Sequence, residues 1–308
     1  MIVALVWIAS AMAAAEPDIP RRTVAMLHRG RTDMVFRYVQ EQNKLNPGDQ
    51  DVCVLEGAAH AVDREYVEAI ALLERCQGSP FYEKSAIRYH ADALRAMGEY
   101  EAAAALRTEQ MMLKSISLDQ EHYALINRIL DYREAGEFQR ALELADEAIG
   151  LAPDRPSFYG VKADIYLDQG DTGSARAELL IAEHMGFESR KPTLLAQARL
   201  QTALGEPDLA VSALNPLRKR FLQSPEFWDV YLRAKLAMGE VDETAEFLKL
   251  RRFLSIRSAE LEALKAEVMF EQGDLKGAQV QILSAMETYP GSRVVQDAAM
   301  RMLSTATD

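Results

Sequence analysis

The stretch GEFQRALELADEAIGLAPDRPSFY, from Gly136 to Tyr159, begins with a glycine followed by an acidic residue, which is typical of a turn. An amphipathic segment follows and ends at a proline, and a second amphipathic segment begins after it. The same opening, with a small residue five positions after the glycine, recurs at intervals of 34 to 38 residues. The recurrences begin at Gly98, Gly170, Gly205, Gly239 and Gly273, and the spacing extends back to Arg64 and Gly30. A period of this length indicates a repeat architecture in which stacked units share one core.

Each period contains two apolar-periodic segments, one on either side of the turn. In one unit, the spacing of Tyr159, Ala163 and Tyr166 is that of one face of a helix. Gly170 then tolerates the left-handed backbone that ends a helix, and a second stripe begins at Ala175. A turn this short predicts two antiparallel helices. Neighbouring hairpins must stack on such a pair, because one hairpin alone cannot bury its apolar face.

This pattern resembles the tetratricopeptide repeat family, whose units are about 34 residues long. The alanine that begins the second helix of the family's unit stands here at Ala69, Ala103, Ala141, Ala175, Ala210 and Ala278. The family's late proline appears as Pro47, Pro153 and Pro290. The resemblance covers roughly residues 18–290 and implies an all-α fold, a right-handed superhelical solenoid of antiparallel helix hairpins.

The register of this resemblance predicts the organisation of the chain. We expect about eight repeats over residues 16–290, and a capping helix with a tail at an open solenoid end over residues 291–308. The turns are expected near residues 30, 64, 98, 136, 170, 205, 239 and 273. Two departures stand out. Four extra residues between Gly98 and Gly136 predict an added helical turn near Met111–Leu118, and Pro207 is expected to interrupt one turn.

The first 15 residues, MIVALVWIASAMAAA, carry no charged side chain and end in small residues. This pattern favours a signal peptide over residues 1–15 that is cleaved near Ala13 or Ala15, although it lacks the usual basic residue before the apolar run. A membrane anchor and a misassigned start are the alternatives. No cysteine follows for lipid attachment. We therefore expect a periplasmic or otherwise exported protein, with no membrane span once the signal is removed.

The two cysteines, Cys53 and Cys76, fall in one repeat. By the register of the resemblance, the first lies in the opening helix and the second near the end of the following helix, and an antiparallel hairpin brings these two positions together. They could be two small buried hydrophobes. Because exported proteins form disulfides, the facing positions favour a Cys53–Cys76 bond.

The sequence lacks the common motifs of catalytic, phosphate-binding and zinc-binding sites. It has no Gly-rich phosphate loop, nucleophile elbow or zinc-binding spacing. The carboxylates of Asp164 and Asp168 are four residues apart, which we interpret as an exposed helix face without acid–base chemistry. We expect no catalytic residues, cofactor or metal site. The net charge of −12 also argues against nucleic acid and anionic membranes as partners.

In the family that the chain resembles, one stripe of each first helix lines a concave groove. At the corresponding positions we expect the partner-binding residues of this chain to be Arg88, Asp92, Arg95, Tyr123, Arg133, Asp164, Arg199 and Arg233. Arginine forks hold carboxylates bidentately, so an acidic or C-terminal protein segment is one expected ligand. The plainer interpretation is that these arginines pair with nearby acids on the surface.

Two kinds of function fit these observations. The first is a non-catalytic scaffold or adaptor of the bacterial cell envelope that binds a partner segment in its groove. The second is a structural stacking component of a large envelope assembly, such as a secretion, pilus, flagellar or polysaccharide machinery, which uses its convex face and ends.

Overall fold

The computed structural model describes residues 19–79, 81–113, 117–186, 191–222, 224–250 and 258–304, and these contain 17 α-helices and no strand. The all-α fold expected from the repeats is thereby confirmed. The chain divides into two compact units, Met1–Ala93 with Met112–Ile116, and Leu94–Met111 with Ser117–Asp308. The expected signal peptide over residues 1–15 lies outside the described residues. None of the described helices is both long enough and apolar enough to cross a membrane.

The first unit consists of helical hairpins. Its elements are α1 (Arg21–His28), α2 (Thr32–Leu45), α3 (Gln50–Asp63), α4 (Tyr66–Arg75), a π-helical turn (Tyr82–Ala86) and the start of α5 (Ile87–Met97). Helix α3 packs on both α2 and α4. Asp49 caps α3 by accepting hydrogen bonds from the backbone N–H groups of Asp51 and Val52, which satisfies donors that the first turn of a helix leaves unpaired.

The second unit continues the same arrangement in its described residues. Its helices are α6 (Tyr100–Met112), α7 (Leu118–Glu134), α8 (Phe138–Leu151), α9 (Pro156–Asp168), α10 (Thr172–His184), α11 (Lys191–Ala203), α12 (Pro207–Leu214) with a 3₁₀ turn (Asn215–Leu217), α13 (Pro225–Ala237), α14 (Val241–Lys249), α15 (Ala259–Glu271), α16 (Leu275–Thr288) and α17 (Arg293–Ser304). Helices α7, α9, α11, α13 and α15 are the first helices of successive hairpins.

The backbone changes direction at the recurring turn positions. The seven glycines named at these turns have φ between 67° and 88°, which costs glycine little because it has no Cβ. Arg64 holds the equivalent position with φ of 67°, and it is the one non-glycine residue with positive φ in the described chain. The recurring glycine therefore marks the end of the first helix of each pair, as its physical chemistry requires.

The two departures from the pattern have local explanations. Helix α7 has 17 residues whereas α9, α11 and α13 have 13 each, so the four extra residues lengthen the first helix of that repeat. Pro207 is the first residue of α12. At that position a missing N–H breaks no helical hydrogen bond, so the expectation that Pro207 interrupts the turn was wrong.

Small residues hold the hairpins of the second unit together. Ala141, Ala175, Ala210 and Ala278 are all fully buried where the paired helices meet. Larger side chains fill the space beyond, including Trp228, which is 2% exposed. Its indole N–H donates a hydrogen bond of 3.0 Å to the carbonyl of Leu222, so its buried polar atom is satisfied.

The terminal helix α17 packs on α15 and α16, as a capping helix does. The chain just before and at its start also contacts the beginning of the same unit. The Tyr100 hydroxyl donates to the Gly291 carbonyl, and the Arg293 guanidinium lies 4.8 Å from the centre of the Phe138 ring. Gly98 and Gly291 approach so closely that a Cβ on either would meet the other's backbone. The start of the capping segment therefore touches the beginning of the second unit.

Candidate functional site

A cavity of about 800 Å³ lies within the second unit. Its walls come from the first helices of successive hairpins, α7, α9, α11, α13 and α15, together with α17. On α9 the lining residues include Ser157, Val161, Asp164 and Asp168, at spacings of 4, 3 and 4 that define one face of a helix. The repeat pattern thus places one stripe of each first helix on the cavity wall.

One ion cluster in the cavity is centred on a single carboxylate. Asp168 accepts hydrogen bonds from Arg133, Arg199 and Arg293 at 2.8, 2.7 and 2.7 Å, and its side chain is 7% exposed. Asp164 pairs with Arg199 at 2.7 Å as well. Burial alone would raise the pKa of Asp168, but Arg133 and Arg199 outweigh it and hold the pKa well below its usual value.

A second ion cluster lies further along the same wall. Arg233 donates to Asp229 at 2.8 Å and to Glu267 at 2.6 Å, and Arg301 of α17 donates to Glu267 as well. Burial disfavours the charged form of Arg233, but the two carboxylates outweigh it and raise its pKa. Arginines and acids from adjacent repeats are thus joined in pairs along the cavity.

Two carboxylates near these clusters have no ion-pair partner among the described residues: Glu134 at the end of α7 and Glu260 at the start of α15. Burial, followed by the charges of Glu134 and Asp229, raises the pKa of Glu260 to about 7. Its carboxyl group accepts a hydrogen bond from Ser258, which opposes this shift. Around neutral pH this carboxyl group is therefore only half ionised.

The structure distributes the eight partner-binding residues expected from the sequence over three places. Tyr123, Arg133, Asp164, Arg199 and Arg233 line the cavity. Arg95 instead joins a buried cluster outside the cavity lining. It donates to Asp131, which also pairs with Arg107 at 3.3 Å, and both of these partners are fully buried. Arg88 and Asp92 belong to the first unit, where Arg88 donates to the Tyr89 hydroxyl at 2.8 Å.

One expectation about charge needs correction. Asp164 and Asp168 do not form an exposed helix face but lie within the arginine network, with side chains 17% and 7% exposed. The cavity arginines are each paired with an acid, which is the plainer of the two interpretations that the sequence allowed. Sequence reasoning missed Glu134 and Arg293 as cavity residues. Glu134 follows Arg133 directly and lies four residues after Leu130, so a slightly wider stripe on α7 would have included it, whereas nothing local points to Arg293.

In the first unit, Cys53 and Cys76 form a disulfide with their Cα atoms 6.3 Å apart, which confirms the expected pairing. Cys53 lies on α3 and Cys76 directly follows α4. The bond therefore ties together the two helices of one hairpin. Among the residues that the structure describes, no cluster of histidine, cysteine or acidic side chains could hold a metal ion.

Comparison with known proteins agrees with the repeat architecture. Residues 126–186 match the profile of the tetratricopeptide repeat family. A thermophilic TPR protein from Thermus thermophilus superimposes with a TM-score of 0.50 at 18% identity, covering 59% of this chain and 98% of its own. A tetratricopeptide repeat protein from Parabacteroides merdae gives a TM-score of 0.49 at 15% identity, covering 82% and 98%. At these identities the likeness is one of fold. No curated protein sequence matches the chain.

Proposed function

We propose that this tetratricopeptide-repeat chain is a non-catalytic scaffold that binds a segment of another protein in the cavity of its second unit. The cavity carries the proposal. It is large enough for several side chains, and it is built from the inner stripes of five successive hairpins and α17. Its wall combines apolar side chains, such as Ile126 and Leu130, with polar groups in fixed ion pairs. An apolar wall with a few oriented polar groups is typical of binding sites.

Tyr123 is the side chain best placed to contact such a segment. It lines the cavity and yet is 47% exposed, and tyrosine gives rigid contact area with a polar tip. Selection of peptides from a random library on the purified chain supplies a ligand for the test. We expect Tyr123→Ala to weaken the selected peptides by about 2 kcal/mol, roughly thirtyfold, which is the usual effect of removing a hot-spot residue.

Leu180→Ala is the matched control, because Leu180 is 49% exposed on α10 and does not line the cavity. Peptide affinity that survives Tyr123→Ala and is lost in Leu180→Ala would contradict the proposal. That result would favour the second candidate, a structural component of a larger envelope assembly. Exposed apolar side chains outside the cavity, among them Val280 and Leu283 on α16, are the observation that supports this alternative.

We also propose that the protein works outside the cytoplasm, in the bacterial cell envelope. The support is the apolar, uncharged stretch over residues 1–15, together with the Cys53–Cys76 disulfide, a bond that forms in oxidising compartments. Mass spectrometry of protein from the native host should find a chain that begins near Ala14 or Glu16. A soluble cytoplasmic chain that retains Met1 would contradict this part of the proposal.

A further inference from the structure

The charges of the cavity indicate what kind of segment it accepts. Every arginine and lysine among its described lining residues has a carboxylate oxygen within 4.0 Å. This includes Arg155 with Asp119 and Lys191 with Glu226. Glu134, Glu260 and Asp297 line the same cavity without an ion-pair partner among those residues. Three of these arginines share Asp164 and Asp168, so that cluster carries one positive charge in excess. The described lining residues still comprise eight acids and seven basic residues, and Glu267 adds a ninth acid, so an entering ligand meets net negative charge from them.

We infer that the partner segment is basic and that it places an arginine or lysine side chain between Glu134 and Glu260. The inference rests on the proposed function, because it names the chemistry of the segment that the cavity receives. An acidic segment would have to approach these carboxylates, and like charges brought together in a site of low dielectric repel strongly. A basic segment breaks no pair and gives the unpaired acids a partner.

The second unit already contains an example of such an interaction. Arg293 comes from a different helix, 125 residues after Asp168, and donates a hydrogen bond of 2.7 Å to its carboxylate. Its guanidinium lies over the Phe138 ring at 4.8 Å. A carboxylate with an aromatic or apolar surface beside it suits a cationic head on an aliphatic stem. Leu130 lies one turn before Glu134, and Val294 lies one turn before Asp297, so these unpaired acids have apolar neighbours.

The unpaired carboxylates interact with each other when the cavity holds no cation. Glu134 lies on α7 and Glu260 on α15, and the charge of Glu134 contributes to the raised pKa of Glu260. Other charged lining residues on helices packed against α15 are Glu226, Asp229 and Arg233 on α13, and Arg293, Asp297 and Arg301 on α17. No charged residue of α14 or α16 lines the cavity in the described chain. A bound cation favours the ionised form of Glu260, so binding releases a proton.

The first test uses three end-capped Gly/Ser decapeptides that carry three arginines, three glutamates or three glutamines, with affinity measured by fluorescence polarisation in low salt. At about pH 8 we expect the arginine peptide to bind at least about tenfold more tightly than the glutamate peptide. The double variant Glu134→Gln and Glu260→Gln should lose at least about tenfold in affinity for the arginine peptide. Glu147→Gln, an exposed acid on α8 outside the cavity, controls for the general attraction of a basic peptide to an acidic protein.

The second test is the pH dependence of the same affinity. The ionised fraction of a group with a pKa of about 7 rises from roughly a tenth to nine tenths between about pH 6 and pH 8, so wild-type affinity should rise by up to about tenfold. Glu260→Gln should abolish most of that rise.

Equal or tighter binding of the glutamate peptide, or an unchanged affinity in the double variant, would overturn the inference. The proposed function would survive such a result if library peptides still depended on Tyr123. If peptide affinity depended neither on Glu134 and Glu260 nor on Tyr123, the proposed function would be rejected as well.

Discussion

At the scale of single residues, the second unit depends on Asp168. One carboxylate receives guanidinium groups from α7, α11 and α17, and its side chain is 7% exposed. The desolvation of a buried ion cluster offsets much of its attraction, so the net contribution of the whole cluster to stability is modest. Removing one member of the cluster costs more stability, because the remaining charges then stay buried without a partner of opposite charge.

We therefore expect Asp168→Asn to lower the free energy of unfolding by about 3 kcal/mol, the lower end of the range for breaking a buried pair. Denaturant titration measures this loss, and Asp154→Asn, an exposed acid before α9, is the control. Because the folded-state pKa of Asp168 lies below its unfolded value of 3.8, its contribution is present above that pH and is lost as the pH falls further. A loss equal to that of Asp154→Asn would contradict this role.

Glu260 shows the opposite relation between charge and stability. Its pKa is raised to about 7 in the folded state from 4.5, so the folded protein binds the extra proton between these values and stability falls as the pH rises through them. Glu260→Gln should stabilise the protein by about 1 to 2 kcal/mol near pH 8 and by much less near pH 5, after allowance for partial exposure. Thermal melting at both values measures the difference. If Glu260→Gln lowered the melting temperature at both pH values, the ionised carboxylate of Glu260 would not be what destabilises the folded protein.

The residue scale is also where sequence reasoning reached its limit. Helical spacing located Tyr123, Arg133, Asp164, Arg199 and Arg233 on the cavity wall, because a stripe is a local property. The partners of the arginines could not be read from the stripe. Apart from Asp229, which lies four residues before Arg233, they lie 31 to 36 residues away in adjacent repeats, and 125 residues away for Arg293. Side-chain pairing at these separations depends on how the repeats stack.

At the scale of helices, close packing depends on small residues. Gly160 on α9 faces α11, and a Cβ at this position would lie 2.7 Å from both N and Cα of Thr193. The Thr193 side chain is itself fixed by a hydrogen bond of 3.0 Å to the carbonyl of Pro156. Neither backbone can yield without separating the two first helices.

Gly160→Ala should therefore destabilise the protein by about 1 to 3 kcal/mol, the usual cost of overpacking, although alanine is the better helix former. Gly150→Ala on α8 is the matched variant, since a Cβ there meets nothing within 4 Å and should add up to about 1 kcal/mol of stability. Denaturant midpoints of the two variants should move in opposite directions. A shift toward higher stability in both would mean that α9 and α11 are not packed this closely.

The disulfide between α3 and the end of α4 acts at the same scale. It closes a loop with a sequence separation of 23 residues, for which the chain-entropy estimate is about 3 kcal/mol. The double variant Cys53→Ala and Cys76→Ala should lose about that much stability, seen as a lower melting temperature. Thiol alkylation of the unreduced, denatured wild type should label neither cysteine. Full labelling of both would show two free thiols.

At the scale of the whole molecule, the repeat period predicted the helical architecture, because each hairpin is a local unit that repeats its own turn and its own small residues. The contact between the start of the capping segment and the beginning of the second unit was not predicted. An open solenoid end was expected, and the chain around Gly291 instead touches Gly98 and Tyr100. Such a contact depends on small rotations between repeats that accumulate along the stack, and no single repeat reveals them.

Site-specific photo-crosslinking in the native host tests the central claim most directly. A photoreactive residue at position 126, on the cavity wall, is compared with one at position 283, an exposed site on α16 outside the cavity. If the cavity receives the partner, position 126 should give a covalent adduct with a specific protein, and Tyr123→Ala should abolish it. An adduct formed from position 283 alone, and indifferent to Tyr123→Ala, would contradict the account and place the partner on the outer surface.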